Sequence, residues 1–556
     1  MGLSALLALT VLFPEAQKSP SPINTNKITQ FSTNQNIKSS PFLLGNATKD
    51  TTEEMVQNAL AYAACNGLVM ADDTNPNALV HAPFSLLPAI FPKAELDRAY
   101  ELAPLFNKLV DRVADNLPWL EQTLRLAAKS DDFTGRLIKL CAKVHGEGLA
   151  QKSVLAILRS DYMLHEPHEE SVQGEARGAH LLQVELNTIA SSFGSLSSRV
   201  SELHRSQARC QPDVRDAMLL ASGSSDKLCI DTTLPSNDAL SKLAEALALG
   251  HREYCAQTGE DAALVLFIVQ PGERNIADQR LLAQRLLDEY GVESIFRSLA
   301  RVDYEGRLKG PERSLILEGG NSPAERHEIS VAYFRAGYTP DDYPTSREWA
   351  ARLLIERSRA VKCPSISYHL VGAKKVQQAL SQAGELEKFV TPSEAETLRS
   401  VFAGMWSLTE TEPRQPDAQM SAMDSKAAMS DAMARPEYYV LKPQREGGGN
   451  NLFGEELASA LSTMSRAQKA AYVLMQRIEP RPEDAILIRS GQLYRGSAIS
   501  ELGVYSTYLR SASGRVVLDS AAGHLVRTKL VGVDEGGVAA GFAFLSSPLG
   551  ALCDLG

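Results

Sequence analysis

Residues 438–456 read YYVLKPQREGGGNNLFGEE: an apolar run, a lysine, three consecutive glycines, paired asparagines and the start of a helical pattern. Successive glycines admit backbone conformations closed to other residues and let main-chain N–H groups approach an anion without Cβ clashes. Lys442 and Arg445 put positive charge beside that backbone, and Glu446 offers a hard oxygen of the kind Mg²⁺ prefers. The spacing is not GxxxxGK[ST], because no Lys-Ser or Lys-Thr follows the glycines. A hairpin turn would use fewer polar groups than the ten residues from Lys442 to Asn451 supply, so the segment predicts a strand, a phosphate cradle and a helix from Gly454.

The rest of the chain suits such a cradle. From Thr52 to about Leu158 apolar residues recur at spacings of three and four, as in TEEMVQNALAYAACNG and in residues 94–130, which predicts a helical layer. Short apolar runs at 154–158, 181–186, 263–269, 331–334, 438–441 and 472–475 predict strands, and residues 278–291 a helix between two of them. The expectation is an α/β or mixed α+β body. Residues 409–437, rich in Met, Ala, Ser and Asp, show no clear period and read as a mobile insertion.

Composition narrows the function. The chain has 67 acidic and 57 basic residues, a formal net charge of -10, which argues against coating nucleic acid; an anion must be met by locally placed donors. Seven scattered cysteines, never in a CxxC pair, predict neither a disulfide framework nor a zinc knuckle and favour a reducing compartment. No apolar run approaches the roughly 18 residues of a membrane span. Residues 1–50 differ from the body: an apolar stretch at 2–13 lacks a basic lead, and Lys18, Lys27, Lys38 and Lys49 precede the next acid after Glu15, Asp50. That acid-poor, hydroxyl-rich composition fits a transit peptide.

KPQREGGGNN, QVELNTIASSFG (183–194), ERNIADQ (273–279), YFRAGY (333–338), ISELG (499–503) and RTKLVGVDEGGVAAG (527–541), in this order, resemble eukaryotic glutathione synthetase, and residues 351–370 and 500–511 resemble its plant branch. The resemblance runs from about Glu53 to the last residues. It implies an ATP-grasp fold with an inserted α/β substrate-binding domain, a homodimer, two Mg²⁺ ions, and ATP-driven joining of γ-glutamylcysteine to glycine in chloroplast and/or cytoplasm. The implied division is 51–261 and 371–556 for the two ATP-grasp parts, 371–556 carrying the glycine-rich lids, and 262–370 for the substrate domain.

Carried over residue by residue, the resemblance implies metal ligands Glu185, Asn187 and Glu446. Glu185 and Asn187 are two apart and on a strand share a face. The implied nucleotide contacts are Glu185, Lys374, the run Lys442, Pro443, Gln444, Arg445, Glu446, Gly447, Gly448, Gly449, Asn450 and Asn451, then Phe453, Met475, Gln476, Arg477, Ile478, Glu501, Lys529 and Glu535. Substrate contacts fall on Arg159, Ile189, Ala190, Ser191, Ser192, Glu273, Arg274, Asn275, Gln279, Arg335, Ala336, Gly337, Tyr338, Arg527, Val538 and Ala539. Arg527, Glu446 and Lys442 are the implied catalytic groups. The chain departs from the family pattern at Phe453, where Tyr is common, at Glu535, where some members have Asp, and at Ala336, where some have an acid.

The implied chemistry is an acyl phosphate made from ATP, then attack by the acceptor amine. It asks for positioned charge and closing loops, and needs no protein nucleophile. Residues 447–451 and 534–541 are the candidate lids. Relatives that use β-alanine resemble this chain but carry Leu-Pro at Ala539-Ala540, so two alternatives stay open: the same ligase with β-alanine or serine as acceptor, and a non-catalytic ATP-binding protein on the same fold.

Overall fold

A computed structural model describes residues 49–166, 179–223, 233–319, 326–409, 424–444, 450–534 and 536–552. Its centre is a seven-stranded sheet whose order runs Glu483–Arg489, Phe84–Ser85, Phe544–Ser546, Val516–Leu530, Gln492–Arg510, Val154–His165 and His180–Asn187. All but one of its pairings are antiparallel. The apolar run at 154–158 opens the twelve-residue strand Val154–His165, which is buried along nearly its whole length.

That burial follows from cover on both faces. Leu155 and Ile157 join one core with Leu196, Val200, Leu243 and Leu247, from the helices Gly194–Cys210 and Ala239–Thr258. Ala156 and Leu158 join the other core with Leu102, Phe106 and Leu109 from the helix Lys93–Ala114. The period of two therefore shows in which core each side chain enters, although every position is apolar.

A second, six-stranded sheet holds Leu264–Ile268 between Ser294–Arg297 and Arg326–Phe334, all parallel, with Val361–Cys363 beside the last and an antiparallel hairpin at the far edge. The helix Ile276–Tyr290 connects two of its strands, as the 278–291 pattern predicts. A third sheet of three antiparallel strands, Met405–Ser407, Tyr472–Gln476 and Tyr439–Pro443, carries the helices Ser425–Ala434 and Gly454–Thr463 on one side. Its other side faces the central sheet through Val440, Val473 and Met475, which pack with Leu182 and Ile478.

Three expectations need correction. The stretch 52–158 is not wholly helical: Val69–Ala71, Leu79–His81, Phe84–Ser85 and Ala89–Pro92 are strands. Each is too short to display a period and exists because a distant strand pairs with it, Phe84 with Leu545 and Ile488 for example. Residues 94–130 form three helices, the second starting where the Asn116 side chain accepts from Trp119 N. Within 409–437, residues 425–434 are a helix capped by Asp424, and Ala428 and Ala432 pack i,i+4 into the small layer's core. Alanines on both faces gave that helix too little contrast to read as periodic; residues 410–423 lie outside the described residues.

Candidate functional site

The central and three-stranded sheets enclose a cavity of about 450 Å³. The central sheet contributes Glu185, Glu501, Arg527 and Lys529, and the small layer contributes Val440, Lys442 and Met475. Strand alternation accounts for the first group: Glu501 pairs with Arg527 across the sheet, Glu185 with Asp161, and Lys529 stands two residues beyond Arg527 on the same face.

Five cations, Lys374, Lys442, Arg477, Arg527 and Lys529, line this cavity with five carboxylates, Glu185, Glu437, Glu479, Glu501 and Asp534. Lys374, at the start of the helix Lys374–Leu380 and 4% exposed, donates to Glu185 Oε2 at 2.8 Å. Lys442 Nζ donates to Val184 O at 2.9 Å. Burial works to raise the Glu185 carboxyl, but the ammoniums of Lys374 and Lys442 outweigh it and hold the carboxyl well below its usual range. Burial pushes the Lys442 ammonium down to about 8, against the pull of Glu185. Burial also raises the Glu501 carboxyl, and its close ion pair with Arg527 opposes that shift. Lys529 Nζ reaches Asp534 O at 2.6 Å. Two buried ammoniums side by side, Lys374 and Lys442, suit a polyanion.

One side of the cavity is apolar. Met163 and Val184 face Val440 and Met475, and Phe453 completes the wall with Arg477 over its ring at 5.5 Å. A flat aromatic ligand fits between these layers, with its charged end toward the lysines.

Asp161, which no sequence motif singled out, organises the polar floor. Its carboxylate is fully buried and accepts from Arg159 Nε at 2.6 Å and Nη2 at 2.8 Å, from Asn187 Nδ2 at 2.8 Å and from Arg527 Nη2 at 2.9 Å. Arg159 Nη1 also donates to Ser192 O at 3.2 Å, as does the Tyr505 hydroxyl at 2.5 Å. Gly503 lies opposite Asp161; a Cβ there would stand 2.6 Å from Asp161 Oδ1 and 2.9 Å from Arg159 Cδ.

A second cluster lies at the ends of the parallel strands. Arg335 pairs with Asp278 at 2.8 Å, both nearly fully buried, and Asp278 also accepts from the backbone N–H of Phe193, Ser195 and Leu196. Glu273 accepts from Asn275 N at 2.7 Å and Gln279 Nε2 at 3.2 Å. Asp342 Oδ2 accepts from the N–H groups of Gly337 and Tyr338 and so fixes the YFRAGY turn, where Gly337 has φ +92°. Arg335 Nε and both side-chain polar atoms of Asn275 are buried with no protein partner among the described residues. Groups in that state await a polar ligand. Arg274 Nη1 ties the cluster to the distal loop by donating to Ala539 O at 3.0 Å.

Of the residues expected at a nucleotide, Glu185, Lys374, Lys442, Asn451, Phe453, Met475, Gln476, Arg477, Ile478, Glu501 and Lys529 line this cavity. Gln444 does not: it is buried and accepts from Lys375 N at 2.8 Å. Pro443 ends its strand opposite Tyr472, and Asn450 is exposed. Arg445, Glu446, Gly447, Gly448, Gly449 and Glu535 lie outside the described residues. Asn187, expected at a metal, spends its amide N–H on Asp161, while Ile189, Ser191 and Ala336 are buried beside the two clusters. Among the described residues no group of three His, Cys, Asp or Glu could by itself hold a metal ion. Asp161 stands alone in an apolar strand, Asp278 in the first turn of a helix and Asp342 in a short 3-10 helix, and none has a pattern of its own that reveals its partners. The alternation Arg159-x-Asp161 was the one available signal.

Two antiparallel layers closing on an anion-seeking cavity define the ATP-grasp class of ATP-dependent ligases. The sequence profile of "Eukaryotic glutathione synthase, ATP binding domain" matches residues 49–549. The chain is similar to a chloroplastic glutathione synthetase of Solanum lycopersicum, 41% identical over 89% of this chain and 84% of that one. It is likewise similar to a chloroplastic one of Arabidopsis thaliana (37%, covering 96% and 91%) and to the Homo sapiens glutathione synthetase (38%, covering 90% and 97%). A solved structure, a glutathione synthetase-like effector of Globodera pallida in its apo form, shares the fold with a TM-score of 0.67 over 91% of this chain and 98% of that one, at 22% identity. The chain belongs to the eukaryotic glutathione synthase family.

Proposed function

We propose that the chain joins the cysteinyl carboxylate of γ-glutamylcysteine to the amine of glycine, converting ATP to ADP and phosphate. The observation that carries this reading is the convergence of Lys374, Lys442, Arg527 and Lys529 on one cavity with an apolar wall. A carboxylate resists amines at neutral pH because its leaving group is oxide. Transfer of the γ-phosphoryl group to a carboxylate oxygen makes an acyl phosphate; the glycine nitrogen then attacks the carbonyl carbon, gives up a proton, and the carbon–oxygen bond to phosphate breaks.

Met163, Val184 and Met475 hold the adenine, Lys374 and Lys442 neutralise the phosphates, and Lys529 serves them from the opposite face. Arg527, fixed by Asp161 and Glu501, stabilises charge on the reacting carboxylate. Arg159 and Arg335 bind the peptide's carboxylates, and Glu273 binds its ammonium. Mg²⁺ fits the donors available, since Glu185 is ionised and it, Asn187 and Glu446 offer hard oxygens, the remaining positions falling to phosphate and water. When bound, it would neutralise phosphate charge during transfer. Without it, Lys374 holds the Glu185 carboxylate in place. Loops 447–451 and 534–541 exclude water from the acyl phosphate.

We assign 51–261 and 371–556 to the nucleotide-binding parts and 262–370 to the substrate part, and place a homodimer in chloroplast and/or cytoplasm. Residues 1–50 then act in targeting alone. The decisive experiment measures phosphate release by the purified chain: it should require Mg²⁺, γ-glutamylcysteine and glycine together, with glutathione formed in equal amount. Sustained release without an acceptor amine refutes the ligase assignment.

A further inference from the structure

We infer that the chain has a second small-molecule site, for a compact organic anion bearing a carboxylate or phosphate, in a cavity remote from the nucleotide. This cavity of about 420 Å³ is nearly as large as the first, and its walls include Val144, Val154 and Ile366. It lies at the other end of the same strand pair: Val154 is in register with Arg510, whereas Met163, beside the nucleotide cavity, is in register with Glu501. Nine residues separate Val154 from Met163, roughly 30 Å at about 3.3 Å per residue.

The charges favour an anion. Lys362 lines the cavity, is 6% exposed, and donates one hydrogen bond, to Ser358 O at 3.0 Å. Among the described residues no carboxylate forms an ion pair with it, so a buried ammonium with three donors has two left over. Buried charges are ordinarily paired. Each carboxylate in the walls faces a guanidinium, although Asp115 shares Arg510 with Asp111 and the Glu356 charge also acts on Lys362. Glu356 accepts from Arg352 Nε at 2.9 Å, and Asp115 takes Arg510 Nη2 on its two oxygens at 3.0 and 2.8 Å. Arg510 spends Nε on Asp111 at 3.0 Å, which leaves Nη1 uncommitted among the described residues. The hydroxyls of Ser365 and Ser367, 3.3 Å apart, and the half-buried His145 ring add further hydrogen-bonding groups. A volume above 400 Å³ exceeds one inorganic ion and suits a molecule of amino-acid or sugar-phosphate size. None of these residues serves the ligase reaction as proposed, so this site does not rest on that reading.

Titration calorimetry on the full chain tests it. A non-hydrolysable ATP analogue and γ-glutamylcysteine are held at saturation, so that the first cavity is filled. Inorganic phosphate and succinate are the probes, one for each source of negative charge. At least one should bind with a stoichiometry of one per chain, and whichever binds identifies the group preferred. Lys362→Met should weaken that binding tenfold or more. His145→Glu, a change at a half-buried position that leaves the core intact, should do the same if the first variant fails to fold. kcat/KM for ligation without the probe should stay within twofold of the parent in every folded variant. Absence of binding by both probes, or binding undiminished in the folded variants, overturns the inference.

Discussion

Asp161→Asn removes one charge from the centre of the polar floor and keeps its shape. The carboxylate accepts four hydrogen bonds from Arg159, Asn187 and Arg527, and its partners cannot turn to water because Asp161 is wholly buried and Arg159 nearly so. Breaking a buried pair from one side costs about 3–5 kcal/mol, because the remaining charge is left uncompensated. Here two guanidiniums lose their shared counter-charge and the new amide turns N–H groups toward them. The ligand can supply part of the missing charge, so the loss should appear mainly as displaced arginines. At roughly 1.4 kcal/mol per factor of ten, 3–4 kcal/mol lowers kcat/KM for γ-glutamylcysteine by about two to three decades. The KM for ATP should move less than threefold, because Lys374 and Lys442 keep their partners. Asp111→Asn is the matched control: that buried carboxylate holds Tyr368, Tyr508 and Arg510 at 2.6, 2.9 and 3.0 Å, away from the nucleotide cavity. It should lower Tm comparably and spare kcat/KM. Steady-state phosphate release with each substrate varied in turn, beside calorimetric melting, separates the two effects. A folded Asp161→Asn chain within threefold of the parent, or one whose ATP and peptide KM values rise together, refutes this account of Asp161.

Gly503→Ala should raise the peptide KM and cost about 1–3 kcal/mol in a denaturant titration, since its Cβ would press on Asp161 and Arg159; an unchanged KM would show that the pair tolerates displacement. Burial pushes the Glu483 carboxyl up to about 7, so the folded chain keeps a proton that the unfolded chain has lost, and the stability tied to that proton disappears as pH rises through 7. Glu483→Gln should therefore be more stable than the parent at pH 8, by on the order of 2 kcal/mol, and no more stable at pH 4, as melting at the two pH values would show. Glycine should be preferred over β-alanine by roughly tenfold to two-hundredfold in kcat/KM, the worth of one methylene. Ala539→Leu with Ala540→Pro should shift that ratio toward β-alanine in competition assays, and an unmoved ratio would clear this loop of setting acceptor choice.

What the sequence disclosed divides along physical lines. All six apolar runs are strands, because three or more consecutive buried positions leave a mark that survives without a partner. Phe84–Ser85 was invisible because two residues form a strand only when Leu545 and Ile488 are already beside them. In the site, Lys442, Arg527 and Lys529 stood in motifs whose residues carry their chemistry, while Lys374 followed only from what the resemblance implies. Asp161 and Asp278 neutralise the arginines that the motifs display, but their partners Arg527 and Arg335 lie 366 and 57 residues away, beyond any local pattern. The glycine of ISELG was part of a recognisable motif, yet its reason, space for a salt bridge across the sheet, needed the opposite strand to be in view.

The three-stranded layer has a core of its own, in which Trp406, Tyr439, Leu441, Leu457 and Leu474 pack with one another on the face turned away from the central sheet. What joins it to the body is the thinner apolar seam around Leu182, Val440 and Met475, the same surface that walls the nucleotide cavity. A unit that keeps its own core while its seam opens can breathe without melting, so its backbone amides should divide into two exchange classes. Those of Tyr472–Gln476 should resist deuterium as firmly as the central strands whether or not ligand is present. Those bordering the seam, from Arg477 to Glu479, should exchange faster and slow sharply once a nucleotide bridges the two layers, so the substrate itself would serve as the clasp of this joint.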